Sequence, residues 1–370
     1  MAGFLGKLKS YGQPLKAYER HLSAVAMIGG FIFDCFAYGR LDHAVTQTIL
    51  LVYITVATGT ILLLHYLEAH PQVATGGRIW GRVRLRGVLP AVIQFAFGTL
   101  WSAFLVFYAR SAVFAATWPF FILLVAVFVI NEVLRTYHSR LIFTSVLLSF
   151  ALLSYAIFMV PVFTHSISQP TFIYSGLAAG GVFLLFLVGL RLLGKQRWQS
   201  VHWSVLRGAG AVFATVYGLY FAGLLPPLPL AMQKAGVYSA VWRSGAVYYA
   251  IGEPQSWDRW FGAPDRVHVG NRGTVYVFSA IFAPIKLSTR VQHIWQHYEP
   301  SIGWVTVQKH SYRIFGGRKN GYRGYTKRSM PEPGLWQVDV ETSDGRLIGR
   351  TRFTVSYGKS SRGAVTSVIR

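Results

Sequence analysis

Three side chains spaced two residues apart, His293, Trp295 and His297, fall on one face if their segment is a strand, because successive side chains of a strand point to opposite faces. Two imidazoles beside an indole suit a sugar ring lying on an aromatic platform. They would suit a metal ion only with further ligands, and His310 on the next segment is the one nominee. The competing arrangement is a tryptophan buried in a core, with His293 satisfied by the backbone. A second group is basic: Arg318, Lys319, Arg323, Lys327 and Arg328, interleaved with Tyr322 and Tyr325 and punctuated by Gly316, Gly317, Gly321 and Gly324. Glycines let backbone N–H groups approach an anion, and arginines grip phosphate or carboxylate with two parallel bonds. The irregular glycine spacing is no nucleotide-binding fingerprint. The competing arrangement here is a solvated, positively charged hairpin.

Catalytic chemistry finds no such pattern. There is no Gly-x-Ser-x-Gly elbow, and the one cysteine, Cys35, lies inside an apolar run. Glu253, Asp258, Asp265 and Glu299 sit in loop-like stretches with no spacing that specifies an acid–base pair. No catalytic residue, metal set or cofactor is therefore assigned.

The elements that must position these groups differ in kind along the chain. Of 370 residues, 53% are hydrophobic and only 13% charged. Before residue 232 the only acids are Glu19, Asp34, Asp42, Glu68 and Glu132. Crossing the hydrocarbon core takes about 20 apolar residues as a helix. Seven runs qualify: Leu22–Tyr38, Val45–Leu67, Leu89–Tyr108, Ala116–Leu134, Leu141–Phe163, Ile173–Leu193 and Ala209–Leu230, the last one cut short by Pro226-Pro227. The first follows Lys7, Lys9, Lys16 and Arg20 without a small-x-small exit, so it reads as a retained helix and not as a cleaved signal peptide.

Loop charge orients the bundle, since Lys and Arg concentrate on the cytoplasmic side. With the N-terminus inside, the inner segments collect Arg78, Arg82, Arg84, Arg86, Arg135, Arg140, Arg191, Lys195, Arg197 and Arg207. The outer loops hold only Arg40 and Arg110. Seven spans then place the C-terminal part outside. The net charge of +23, which in a soluble chain would suggest nucleic acid, is accounted for by this topology and by anionic headgroups, so a nucleic-acid partner is not expected.

Within the helices Asp34 is the polar group to watch, because an intramembrane carboxylate is costly and often functional, the competing arrangement being an interfacial, solvated carboxylate. The pairs His65/Glu68 and Asn131/Glu132 are expected to make structural contacts with the adjacent basic loops. Gly176 and Gly180 offer close approach to another helix.

From Gly273 onward the period changes to that of strands. Leu335–Glu341 alternates Trp336, Val338 and Val340 against Gln337, Asp339 and Glu341, the Asp344-Gly345 turn follows, and Leu347–Val355 alternates again. This predicts a hairpin with one wet face. Thr274–Phe282, Thr289–Tyr298, Ile302–Ser311 and Tyr322–Arg328 read as further strands, whereas Ala231–Ile251 fits an interfacial helix or a first strand equally. The fold class expected is an α-helical transmembrane bundle of about seven helices followed by an all-β, immunoglobulin-like sandwich. The divisions are a cytoplasmic basic N-terminus at 1–21, a transmembrane domain at 22–230, a connector at 231–272, the sandwich at 273–358 and a flexible basic tail at 359–370.

The series Val275-Tyr276, Ala283-Pro284, His293-Ile294-Trp295, Gly316-Gly317-Arg318, Gly321-Tyr322-Arg323-Gly324-Tyr325, Pro333-Gly334-Leu335-Trp336-Gln337-Val338 and Gly345-Arg346 resembles the bacterial domain-of-unknown-function family numbered 2914. Gly30-Phe31-Ile32-Phe33-Asp34 resembles the first helix of its members. The resemblance implies helices followed by this domain; it implies no activity and carries over no catalytic residue.

The expected function is that of a non-enzymatic, multi-pass protein of the inner membrane, N-terminus cytoplasmic and C-terminal domain periplasmic or extracellular. The sandwich would bind an anionic glycan, a lipid headgroup or a protein partner, a second copy included. The candidate contacts are His293, Trp295, His297, Arg318, Lys319, Tyr322, Arg323 and Tyr325. The alternative is a transporter or membrane enzyme whose helices, with Asp34, carry the activity and whose β domain regulates it.

Overall fold

The computed structural model describes residues 44–70, 79–111, 114–133, 140–227, 229–245, 247–253, 264–270, 273–318, 320–358, 363 and 365–369. The expected run Leu22–Tyr38, with Asp34 and Cys35, lies outside these residues, as do the 1–21 segment and Lys319.

The described chain opens with helices α1 (Ala44–Ala69), α2 (Ile79–Ser111), α3 (Phe114–Val133), α4 (Leu141–Thr164), α5 (Gln169–Leu193) and α6 (Lys195–Phe221). Four carry stretches long and apolar enough to cross a membrane: Val45–Ala69, Val88–Ala109, Leu141–Thr164 and Gln169–Leu193. The apolar part of α3, Trp118–Asn131, is shorter. The expected span Ala209–Leu230 is corrected: its helix starts at Lys195, includes Arg197 and Arg207 in a polar first half, and stops at Phe221. Of the seven expected spans, four are thus shown among the described residues, and Leu22–Tyr38 lies outside them.

The bundle is organised around α4, which packs against α1, α2, α5 and α6. Its buried face meets an aromatic core in which Trp101, Phe104, Phe107 and Tyr108 of α2 surround Phe150 and Phe158 of α4. By contrast α5 exposes Leu177, Leu184, Leu185, Val188 and Leu192. A helix that shows Leu and Val outward while burying its other side suits a lipid surround, where no apolar surface is penalised.

Eleven strands follow: β1 (Ala231–Tyr238), β2 (Ala240–Ser244), β3 (Val247–Gly252), β4 (Asp265–Val269), β5 (Thr274–Phe282), β6 (Ser288–Glu299), β7 (Gly303–Phe315), β8 (Tyr322–Ser329), β9 (Gly334–Thr342), β10 (Leu347–Tyr357) and β11 (Val365–Ile369). They form sheets of order β1-β5-β8, β4-β10-β9-β6-β7 and β11-β3-β2. Among the described residues all pairings are antiparallel except β4 with β10.

Alternation decides which layer each side chain enters. Val275 and Val277 of β5 point toward the five-stranded sheet and pack on Trp295, Trp336, Val338, Phe353 and Val355. Phe278 and Ala280 point the other way and pack on Val241, Ala250 and Ile369 of the third sheet. The β1-β5-β8 sheet is therefore the middle of three layers.

Three sequence expectations change here. Residues 231–272 are not a connector, because β1 pairs with β5, β4 pairs with β10, and β2 and β3 build the covering sheet. The tail is not wholly loose, because Val365–Ile369 pairs with β3 from Gly252 to Tyr248. The polar face of the β9–β10 hairpin is not wet: Gln337 and Asp339 are both buried, since β9 is a central strand and long side chains of its neighbours lie across it.

Candidate functional site

His293 and Trp295 face the sandwich interior and are fully buried, so the surface platform expected of them does not form. They belong instead to a closed polar network. His293 Nε2 lies 2.9 Å from both Ser279 Oγ and Tyr312 Oη, and those two hydroxyls are 2.9 Å apart. On the other side of the ring, Nδ1 lies 2.9 Å from Thr326 Oγ1, which also accepts from Trp295 Nε1 at 3.0 Å. Burial, and secondarily the nearby His310, pulls the imidazole down to about 3, so it is neutral. Burial pushes the Tyr312 hydroxyl up, partly opposed by its bond to Ser279.

Serine beside histidine has the composition of a nucleophile–base pair. With both fully buried, no substrate reaches them, and the network satisfies buried polar groups. Ser279, Tyr312 and Thr326 were not picked out in the sequence, although each is an inward position of an alternating strand.

His297 also turns inward, its ring 4.7 Å from that of Trp336 and its Nδ1 3.8 Å from Glu332 Oε2. His310 is the register partner of His293 but bonds Gln308. Among the described residues no group of three His, Cys, Asp or Glu side chains is placed to hold a metal ion.

The basic cluster is split by strand alternation. Register sets Arg323, Tyr325 and Lys327 opposite Ala280, Phe278 and Tyr276, hence on the side of the covering sheet. There Tyr325, 40% exposed, contacts Tyr276 (centroids 5.9 Å) and Tyr248 (6.5 Å), and Arg243 lies 5.7 Å from the Tyr248 centroid. Tyr248 Oη donates to the carbonyl of Arg323. Three tyrosines are thus held together beside Arg243, Arg323 and Lys327, and none of these cations has a carboxylate partner among the described residues. Tyr248 and Arg243 could not be placed here from sequence, because Ala231–Ile251 gave no clear period.

Arg318 and Tyr322 lie elsewhere, at the β7–β8 loop, with the guanidinium 4.8 Å above the ring. The glycine-rich loop does not cradle an anion. Gly316 N–H donates to Leu287 O at 2.8 Å and Gly317 N–H to Ala283 O at 3.0 Å, so both are used to fasten this loop to the β5–β6 loop. A side chain at Gly316 would place its Cβ 1.7 Å from Pro284 O, which is why glycine stands there.

In the bundle, Arg197 pairs with Glu68 at 2.6 Å, His65 Nε2 donates to Leu190 O, and Asn131 Nδ2 donates to Gln94 O. A Cβ at Gly176 would lie 1.8 Å from Tyr217 Oη of α6, whereas Gly180 faces open space. Glu253 accepts both from the His268 backbone N–H and from its ring, each at 2.7 Å. Asp265 and Glu299 start and end different strands, and Asp258 lies outside the described residues.

The buried polar face of β9 carries Asp339 in a two-bond contact with Arg350 (2.6 and 2.7 Å), and Gln337 bonded to Gln296 and Arg352. The Asp339 hydrogen bond raises the Arg350 guanidinium, while burial, then the Asp339 charge, raises Glu341.

Residues 288–355 match the family described as Protein of unknown function (DUF2914). The match runs from the first residue of β6 into β10, so it takes in β6 to β9 whole. His293, Trp295, Arg318, Arg323 and Tyr325 all fall inside it. No curated protein matches the sequence.

Among solved structures, an immunoglobulin-like protein from Pseudomonas aeruginosa is 12% identical over 34% of this chain and 96% of its own, with a TM-score of 0.21. A β-glucosidase from Listeria innocua in complex with glucose is 15% identical over 31% of this chain and 17% of its own, with a TM-score of 0.18. An alkylpurine DNA glycosylase from Pseudomonas fluorescens bound to DNA is 10% identical over 86% of this chain and 99% of its own, with a TM-score of 0.21. Identities and scores this low carry neither fold nor chemistry over to this chain.

Proposed function

We propose that the chain is a non-enzymatic integral membrane protein whose β region, read as an immunoglobulin-like sandwich on the outer side of the inner membrane, binds an anionic envelope glycan. The observation that carries this reading is the face of Tyr248, Tyr276 and Tyr325 flanked by Arg243, Arg323 and Lys327. Tyrosine rings offer rigid apolar faces to sugar rings, and unpaired cations beside them suit carboxylates on those sugars. The orientation is supported by Arg140, Arg191, Lys195 and Arg197, which cluster at the helix ends opposite those joining the β region.

The test is binding of full-length protein in detergent to polygalacturonate, with dextran as the neutral control, across a salt series. Salt-sensitive retention by polygalacturonate alone, abolished by the pair Tyr325→Ala and Lys327→Gln, is expected. Equal retention by both polymers, or none by either, would overturn the reading.

A further inference from the structure

The end of the β region nearest the helices has a composition that the tyrosine face does not use. Ile167 sits between the ends of two crossing stretches, Leu141–Thr164 and Gln169–Leu193. It packs against the sandwich cluster that includes Leu230, Leu287, Val340 and Ile348, and register brings the other loops to the same end, since Val291 pairs with Thr342 and Ser288 with Phe315. Arg346, in the β9–β10 turn, contacts Tyr220 near the end of α6. The β5–β6 loop, the β7–β8 loop and this turn therefore lie at the level where the helices leave their apolar layer.

Two large apolar side chains are exposed there, Ile285 at 54% and Phe315 at 51%. Single exposed apolar residues are ordinary. Ile285, however, lies in the β5–β6 loop and Phe315 ends β7 just before Gly316 and Gly317, which fasten the two loops to each other, so the pair shares one rigid ledge. A Cβ at Gly317 would lie 3.6 Å from the Ile285 side chain, and the Phe315 ring lies 6.3 Å from Tyr322, which carries Arg318.

The charges around the ledge point to an anion. Arg290 and Arg313 are register partners on adjacent antiparallel strands, and both are exposed. Like charges directly opposite each other are unfavourable, and a bridging anion removes the penalty. Among the described residues neither has a carboxylate partner, and nor do Lys286 or Arg318.

We propose that this ledge contacts the bilayer in which the helices sit, with Ile285 and Phe315 entering the interface and Lys286, Arg290, Arg313 and Arg318 holding the phosphates of anionic phospholipids. A free glycan would meet the cations but leave the isoleucine and phenylalanine in water. A bilayer surface supplies an apolar layer and phosphate at adjoining depths. The inference needs the helices to span a membrane and is independent of the glycan reading.

The experiment uses full-length protein carrying Cys35→Ser and Ile285→Cys, with an environment-sensitive fluorophore on the new thiol. It is placed in nanodiscs of phosphatidylcholine with or without phosphatidylglycerol. The expected result is a blue shift and quenching by nitroxide-labelled lipid when phosphatidylglycerol is present, both lost at high salt and in Arg290→Gln with Arg313→Gln. Tyr325→Ala leaves them unchanged, which separates this site from the glycan face. A label that stays open to aqueous iodide in both bilayers overturns the proposal, and one buried equally in both overturns its anionic part. Should the double variant fold poorly, Arg313→Gln alone gives the same comparison.

Discussion

Arg346, in the turn between β9 and β10, lies over the ring of Tyr220 on α6, its guanidinium carbon 3.7 Å from the ring centroid and its Nη2 donating to the tyrosine hydroxyl. Tyr220 in turn stacks on Phe172 of α5, with centroids 3.5 Å apart and planes 12° from parallel. Asp344 holds the same guanidinium at 3.1 Å. Burial pulls Arg346 down to about 10, which still leaves it charged near neutral pH. A hairpin turn of the β region is thereby fastened to two helices at once.

Arg346→Ala should loosen that fastening without unfolding either part. A partly desolvated cation–π contact is worth about 1–2 kcal/mol, so hydrogen exchange across 222–230 and the β9–β10 turn should speed up roughly ten-fold. Exchange in the central strand β6 should stay as it was. Unchanged exchange at the turn would mean that the contact holds nothing together.

The buried imidazole of His293 makes stability depend on pH. Its folded-state value of about 3 lies below the ordinary 6.5, so between those values the unfolded chain binds the extra proton. The stabilisation is complete above about pH 6.5 and falls by about 1.4 kcal/mol per pH unit as acid is added. Denaturant midpoints followed by the fluorescence of the buried Trp295 and Trp336 should therefore drop between about pH 7.5 and pH 5.5. His293→Gln should start lower, having lost its bonds to Thr326 and Ser279, but should show a flatter pH slope. An equal slope would assign the pH dependence to other groups.

Asp339 offers a test of the polar face that the sequence presents as solvated. Its carboxylate is buried and bound twice by Arg350, so Asp339→Ala strands a half-buried guanidinium and should cost about 3–5 kcal/mol. Replacing both residues together by leucine should recover most of that loss, because burying a paired charge is itself expensive. The same carboxylate contributes to raising Glu341, so Asp339→Asn should let Glu341 ionise at lower pH. A double-mutant cycle with no coupling between the two positions would show the contact to be energetically empty.

The strands from Thr274 to Val355 were legible because each alternates apolar and polar residues between turn-forming ones, and their bounds moved by only a few residues. The Asp344-Gly345 turn was legible for the same reason: Gly345 takes φ +81° there, a conformation open to glycine. Strands β1 to β3 were not, since Ala231–Ile251 is apolar without a period and its partner β5 is far away in sequence. The basic residues of β8 were visible as a cluster, but only the register with β5 separates Arg318 and Tyr322 from Arg323, Tyr325 and Lys327. Trp295 shows the converse. Its spacing from His293 was real, yet the face they share is the interior one, and period two cannot tell which face of a strand is covered.

Gly316 tests whether the loop ledge is a rigid object. A Cβ there would lie 1.7 Å from Pro284 O, 2.7 Å from Pro284 C and 2.8 Å from Ala283 O, all backbone atoms that cannot swing aside. Relief requires the two loops to part, which breaks Gly316 N–H to Leu287 O and Gly317 N–H to Ala283 O. Two hydrogen bonds at about 1 kcal/mol each, with their groups left partly buried, set a loss of at least about 2 kcal/mol for Gly316→Ala. Gly349→Ala is the informative contrast. Its Cβ would meet Met232 Cε at 1.6 Å and Sδ at 2.7 Å, both on a flexible thioether chain that can rotate away, and only Met232 Cβ, at 3.2 Å, is fixed, so a smaller cost than that of Gly316→Ala is expected. Chemical denaturation of the two variants side by side reads the difference. Equal costs would mean that the loops are not locked, and the apolar pair Ile285 and Phe315 would then lack the fixed geometry that membrane contact requires of them.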